Sequence, residues 1–326
     1  MELREAVCAK FLKDNGLKYE PSQIIVSCGA KASLFHAVYA IVDNGDEVII
    51  PAPYWFTYEE QVKICGGKPV TVATKAENGY KMTAKELESA VTDKTVAIII
   101  NSPCNPTGAV YSKQELTDIA AVCEKHGLMI ISDEIYEKLI YDNNVHVSIA
   151  SLSDYAFNNT VVINGVSKTY AMTGWRIGYL AAPKALAAVI SRVQGHTTSN
   201  ATTFCQYAAL TALNGGNEVV DMMRDSFDKR RKLMLKLVGN LGLNAIKPEG
   251  AFYLFLDIKP FIGKFVDGKK ITGSMSFADL LIDSGVAVIP GLPFKEDGFV
   301  RLSYAVSEAD ITEGFKRIGE FIKKIK

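Results

Sequence analysis

The chain has 326 residues, too many for one small core and suited to two domains or one large α/β domain with an appendage. Its 36 basic and 36 acidic residues balance to a formal charge of zero, so no global field favours nucleic acid or an anionic membrane, and a small-molecule partner is expected. It is 48% hydrophobic without an apolar run near the roughly 18 residues that span a bilayer. The opening MELREAVCAKF lacks a signal-peptide layout, so the protein reads as soluble and cytoplasmic. Six cysteines show no CxxC or Cys/His spacing suited to zinc, and buried free thiols are expected.

In chain order, Leu3, Val7 and Phe11 form a helical stripe ending at Asn15-Gly16, as though the chain opened inside a domain. Short β-branched runs then alternate with helical patterns, the signature of a mostly parallel sheet with helices on both faces. The expected strands are Gln23–Ser27, Glu47–Pro51, Pro69–Ala73, Val96–Asn101, Leu128–Ser132, Thr160–Asn164 and Ile177–Ala181. Leu34, Val38 and Ile41, and Leu116, Ile119, Ala120 and Cys123, are the apolar stripes of two crossover helices. Thr83 with Glu86, and Ser112 with Glu115, fit capping boxes.

After Asn214-Gly215-Gly216 the texture changes to a long charged helix, about Glu218 to Leu241, with Met222, Phe227, Leu233 and Leu237 among its apolar positions. The domain boundary is placed there, giving a large domain over 1–216 and a smaller α+β domain over 217–326. The latter has strand-like Ala251–Leu256, Val286–Pro290 and Val300–Ser303, then a terminal helix with Ile311, Phe315, Ile318, Ile322 and Ile325 on one face and Ser307 as its cap.

The most informative stretch is Gly165-Val-Ser-Lys-Thr-Tyr-Ala-Met-Thr-Gly-Trp-Arg-Ile-Gly178, which follows the expected strand Thr160–Asn164. Lys168 therefore sits past a strand's C-terminal end, where open α/β sheets bind ligands. Apolar Val166, Met172 and Trp175 around it would disfavour its ammonium and make it a better imine-forming amine. Ser167 and Arg176 offer a hydroxyl and a guanidinium fork suited to a phosphate ester. The bland alternative is a solvated lysine with the arginine in a surface ion pair.

This stretch resembles the cofactor-lysine signature of class I pyridoxal-phosphate aminotransferases, with Ser167, Lys168, Arg176 and Gly178 in register. Five further segments resemble that family in its order and at compatible distances. In Ser132-Asp-Glu-Ile-Tyr136 the resemblance implies that Asp133 pairs with the pyridine nitrogen, keeping the ring an electron sink, and that Tyr136 bonds the ring's phenolic oxygen. By itself the segment could be a capped strand end.

Asn101-Ser-Pro-Cys-Asn-Pro-Thr-Gly108 reads as a loop at the same sheet edge, plain or functional. The resemblance implies that Asn105 also donates to the phenolic oxygen and that Asn105-Pro106 is cis. In Ser27-Cys-Gly-Ala-Lys31 the amides at a helix start would make a phosphate cradle, and the resemblance assigns Gly29, Ala30 and Lys31 to it.

Trp55, just beyond Glu47–Pro51, matches the residue that stacks on the cofactor ring in the aspartate aminotransferase branch, although a core tryptophan is the ordinary reading. In Phe299-Val-Arg-Leu-Ser-Tyr304, Arg301 carries a charge within an apolar strand and calls for a carboxylate partner. That partner is the substrate α-carboxylate if the resemblance holds, or a structural salt bridge otherwise.

The resemblance covers essentially the whole chain and implies the large-domain fold of type I pyridoxal-phosphate enzymes, a homodimer, and pyridoxal 5'-phosphate on Lys168. It implies a ping-pong exchange of an amino group between an amino acid, aspartate or similar, and a 2-oxo acid. Catalysis falls to Lys168, Asp133 and Tyr136, and substrate contacts to Trp55, Asn105 and Arg301.

Relatives carry several dozen residues before the point where this sequence starts. Those residues supply an arm across the dimer, a glycine near the substrate, half of the small domain and a tyrosine that reaches the partner's phosphate site. A less closed site, weaker phosphate anchoring and an exposed apolar patch are the expected consequences.

Two other readings remain at this point: a carbon-sulfur lyase on the same scaffold, and a truncated, non-catalytic amino-acid or cofactor-binding protein. A nicotinamide enzyme is disfavoured because no GxGxxG follows an early strand. No metal is expected, since His36, His126, His146 and His196 form no ligand pattern and read as packing or surface residues.

Overall fold

A computed structural model describes residues 1–326. Seven strands form one sheet: β1 (Ile24–Ser27), β2 (Glu47–Ala52), β3 (Lys68–Ala73), β4 (Thr95–Asn101), β5 (Met129–Asp133), β6 (Thr160–Gly165) and β7 (Gly178–Ala181). Their spatial order is β1-β7-β6-β5-β4-β2-β3. Only β7 runs against its neighbours; the rest pair in parallel through β2–β6. Because β1 and β6 both lie antiparallel to β7, the chain leaves β1 at the same edge as it leaves β2, β4, β5 and β6.

The helices are α1 (Glu2–Asn15), α2 (Ala30–Ile41), α3 (Thr57–Ile64), α4 (Ala84–Ala90), α5 (Lys113–His126), α6 (Asp154–Asn159), α7 (Val166–Thr169), α8 (Lys184–Thr197), α9 (Thr203–Asn214) and α10 (Glu218–Asn240). The isoleucines of β4 show why both sheet faces need cover: Ile99 enters one core with Leu34 and Val38 of α2, while Ile98 and Ile100 enter another with Leu116 and Ile119 of α5. Both capping boxes form, with the Glu86 amide donating to Thr83 Oγ1 at 3.2 Å and the Glu115 amide to Ser112 Oγ at 3.3 Å. Gly16, at φ 68°, ends α1 by donating to the Leu12 carbonyl. No helix is long and apolar enough to cross a membrane.

Beyond α10 a second sheet has the order β12-β13-β9-β8, built from β8 (Ala245–Ile246), β9 (Tyr253–Asp257), β12 (Ile289–Pro290) and β13 (Phe299–Ser303). A hairpin of β10 (Phe265–Val266) and β11 (Lys269–Lys270) and the helices α11 (Ser274–Ile282) and α12 (Glu308–Ile322) complete it. Their core gathers Leu254, Phe277, Val300, Ile311 and Phe315. The expected strand over 286–290 shrinks to two residues, and Ile289 is exposed.

In α10 the buried stripe is Val220, Arg231, Met234 and Val238, whereas Met222 lies exposed. Sequence could not show this register, because its centre is an arginine. Arg231 donates to both oxygens of Asp142 at 2.8 and 2.7 Å, to Asp228 and to the Pro248 carbonyl. All six cysteines are free as expected; Cys104, Cys123 and Cys205 are buried, whereas Cys8, Cys28 and Cys65 are only partly so.

Candidate active site

The turns leaving β1, β2, β4, β5 and β6 deliver their side chains to one edge of the sheet, as the C-terminal ends of parallel strands do. There, Ala30, Lys31, Trp55, Asn105, Asp133, Tyr136, Ser167, Lys168 and Arg176 meet Arg301 from β13 around a cavity of about 310 Å³. Gly29 lies immediately behind it, at φ 86°, and a Cβ there would collide with the Arg176 guanidinium. Gly178 is equally constrained, since a Cβ would run into the backbone of Ala30.

Lys168 is partly buried, and its amine lies 5.4 Å from the Phe252 ring and 5.9 Å from the Tyr136 ring. Trp175, expected beside it, is exposed instead; the apolar wall comes from Phe252 and Tyr136. Burial lowers the Lys168 pKa, the positive Arg176 and Arg301 add to this, and Asp133 opposes it. More of the free amine is therefore present near neutrality than for a solvated lysine.

Asp133 is buried at the end of β5. The Tyr58 hydroxyl donates to its Oδ2 at 2.7 Å and the Ile135 amide to its Oδ1 at 3.2 Å. Burial nevertheless pushes its pKa up to about 6. Such a carboxyl accepts a cationic partner readily, because the partner's charge favours the ionised form.

Arg301 has no carboxylate partner in the chain, so the structural salt bridge entertained from sequence is not what holds it. Its Nη1 donates to Asn105 Oδ1 at 2.7 Å, and its guanidinium lies 4.3 Å from the Tyr253 ring and 5.1 Å from that of Phe294. Its buried Nε has no hydrogen-bond partner. Asn105 is fixed by its amide, which donates to Asn101 Oδ1 at 2.8 Å, while Asn101 Nδ2 donates to the Asp133 carbonyl at 2.9 Å. The Asn105-Pro106 bond is cis, and so are Ser102-Pro103 and Ala52-Pro53.

At the phosphate-sized end, α2 starts at Ala30, so the Ala30 and Lys31 amides head a helix and have no carbonyl one turn earlier within it. Ser167 lies in α7 and Arg176 holds a left-handed conformation at φ 56°. Trp55 is partly buried, edge-on to Tyr58 at 5.6 Å, and the Lys31 ammonium sits 4.7 Å over its indole.

Sequence reasoning missed Tyr58, Tyr253 and Phe252. Tyr58 lies three residues after Trp55, one helical turn on, so periodicity could have flagged it. Behind the Asp133–Tyr136 segment lies a further unforeseen cluster. Lys10 pairs with Glu137, Asn15 Nδ2 donates to Glu137 at 3.0 Å, and His146 Nε2 lies 2.9 Å from Glu134. His146 is thus neither a plain packing nor a surface histidine. It stands with Glu134 and Glu137 in a group whose ligand atoms lie within 4.8 Å, with the Lys10 ammonium supplying positive charge.

A lysine with a destabilised ammonium, a buried carboxyl and an arginine without an acid partner, all facing one cavity at the edge of a parallel sheet, define an enzyme that works on amines and carboxylates. The chain belongs to the class I and II aminotransferase family, whose profile matches residues 1–318. It is similar to the aspartate aminotransferase of Bacillus subtilis (strain 168), at 45% identity over 331 residues that cover 99% of this chain and 82% of that protein. Among solved structures it is similar to the aspartate aminotransferase from Rhizobium meliloti, with a TM-score of 0.96 and 41% identity over 100% of this chain and 82% of that one. The aspartate aminotransferase from Thermus thermophilus with maleate gives a TM-score of 0.92 and 40% identity over 98% of this chain and 81% of that one. The chain is an aminotransferase on the fold of type I pyridoxal-phosphate enzymes, and these relatives favour neither the lyase nor the non-catalytic reading.

Proposed function

We propose that the cavity binds pyridoxal 5'-phosphate on Lys168 and that the enzyme exchanges the amino group of aspartate, or a similar amino acid, with a 2-oxo acid in a ping-pong cycle. The observation that carries the reading is Arg301: a half-buried guanidinium without an acid partner, its buried Nε unpaired, lining the cavity that holds Lys168 and Asp133. The residues fit the cofactor. Gly29 leaves room beside Arg176 that any Cβ would fill, and the head of α2 with Ser167 adds donors suited to a phosphate.

In this reading Gly29, Ala30, Lys31, Ser167 and Arg176 hold the phosphate, Trp55 covers the ring, Asp133 faces its nitrogen, and Asn105 and Tyr136 donate to its phenolic oxygen. The cofactor supplies a carbonyl carbon for amines and a ring that withdraws electrons. The Arg301 fork grips the substrate α-carboxylate, and its bond to Asn105 fixes the angle. The Lys168 amine, neutral enough to act as a base, takes the proton from the substrate α-carbon. Burial of Asp133 and Tyr136 keeps water from the far side of the site.

Aspartate is supported by the names of the relatives. The division into domains over 1–216 and 217–326 is supported by separate cores, the second gathered almost wholly from residues after 233. A homodimer is supported by Phe204, Tyr207, Val219 and Met222, exposed on α9 and α10.

The test is a half-reaction. With L-aspartate and no 2-oxo acid, the cofactor-loaded enzyme is expected to release one equivalent of oxaloacetate and change its visible absorbance, and 2-oxoglutarate should restore it. Continuous release of ammonia would contradict the reading and favour a lyase.

A further inference from the structure

Tyr253 opens β9 and lines the cavity, yet none of the roles above uses it. Its hydroxyl shares a 2.9 Å hydrogen bond with the Tyr136 hydroxyl, and its ring lies 4.3 Å from the Arg301 guanidinium. The same side chain therefore touches the phenol that follows β5 and the guanidinium carried by β13, two groups from different sheets.

Its placement is built into the fold. The preceding turn is tied to the large sheet's loops, with the Glu249 and Gly250 amides donating to the Gly108 carbonyl at 3.0 and 2.8 Å and the Ala251 amide to the Leu139 carbonyl at 2.9 Å. Ala251 holds φ at 59°, and a Cβ at Gly250 would strike Pro103. Register then sets Tyr253 opposite Ser303, two residues along from the pairing of Phe255 with Arg301. Period-two alternation puts Tyr253 and Phe255 on one face of β9.

We propose that Tyr253 is a positioning residue for transamination: its hydroxyl donates to Tyr136, strengthening Tyr136 as a donor, and its ring face carries Arg301. The inference rests on the roles given above to Tyr136 and Arg301. A phenol that accepts a hydrogen bond becomes a better donor in turn, by roughly 10–30% per bond. A cation over an aromatic face gains attraction without losing its in-plane donors, so the Arg301 fork stays available to a carboxylate. The charged and titratable groups packed against Tyr136 are Tyr58, Asp133, Lys168, Arg301 and Tyr253 itself, and only the last differs in the decisive variant.

The cofactor-loaded wild type, Tyr253→Phe, Tyr253→Leu and Tyr136→Phe are titrated by visible absorbance, and succinate affinity is read from the same spectra. In Y253F the pH midpoint of the absorbance change should rise by roughly 0.1 to 0.6 pH unit, the size of a fractional loss of one charge-assisted bond, with succinate affinity within about 2-fold of wild type. Y253L should show the same rise and a roughly 3- to 30-fold loss of succinate affinity. Y253F carries the first limb even where Y253L folds poorly. A wild-type midpoint in Y253F, with a raised one in Y136F, would overturn the inference alone. Unmoved midpoints in both would overturn the Tyr136 assignment with it, and succinate binding lost equally in Y253F would overturn the role of the ring.

Discussion

Replacing Asp133 by asparagine should stabilise the cofactor-free protein near pH 8 while abolishing its activity. Burial raises this carboxyl from 3.8 to about 6, against the bonds from Tyr58 and Ile135 that favour its ionised form. A folded-state pKa above the unfolded one is a penalty. It is absent below the unfolded value, grows as pH rises, and is fully present above about 6. A shift of about 2 units corresponds to ~3 kcal/mol. The asparagine amide meets the donor at Ile135 or Tyr58 with a donor of its own, which costs about 1 kcal/mol.

The net gain at pH 8 is then ~2 kcal/mol, or about 3 °C in melting temperature for a chain of this length. At pH 4, where only the lost bond counts, the variant should melt about 1–2 °C below wild type. Differential scanning calorimetry of both cofactor-free proteins at the two pH values measures the crossover. A variant less stable than wild type at pH 8, or a difference that does not change with pH, would show that burying this carboxylate carries no such penalty. A gain in stability with loss of function marks a carboxylate kept for chemistry rather than folding.

Arg301→Lys should lower kcat/KM for the amino acid by roughly 30- to 100-fold, mostly in KM, because a lysine loses the fork and the bond to Asn105. Steady-state kinetics check it, and an unchanged KM would place the α-carboxylate elsewhere. Lys10→Met should remove the ammonium paired with buried Glu137, leaving Asn15 and His146 beside it, and lower the melting temperature by about 4–7 °C at pH 7, from a loss of ~3–5 kcal/mol. Burial alone would raise the Glu137 carboxyl, but Lys10, His146 and Asn15 outweigh it and hold it at about 2 rather than 4.5. The stability it contributes is present above 4.5 and lost as pH falls towards 2, so the gap between wild type and variant should narrow in acid, as thermal melts would show.

The parallel sheet was legible because its central strands are buried on both faces and so appear as unbroken runs such as Val96–Asn101. The strand ends were equally legible, and strand ends are where Asp133, Asn105 and Lys168 sit. What sequence concealed depends on contacts between distant segments. Arg231 looked like part of a charged helix face until Asp142 and the Pro248 carbonyl were brought to it, 89 and 17 residues away. Tyr253 was a strand residue among others until the register of β9 with β13 placed it under Arg301. Trp175 misled for the opposite reason: it is close to Lys168 in sequence, but the chain turns through left-handed Ala171 between them, and the indole ends exposed.

In the proposed reading Lys168 holds the cofactor. Borohydride reduction of the loaded protein, followed by digestion and mass spectrometry, tests it directly. A pyridoxyl phosphate label is expected on the peptide containing Lys168, with none in Lys168→Ala. A label on another lysine, or equal labelling in the variant, would contradict that reading.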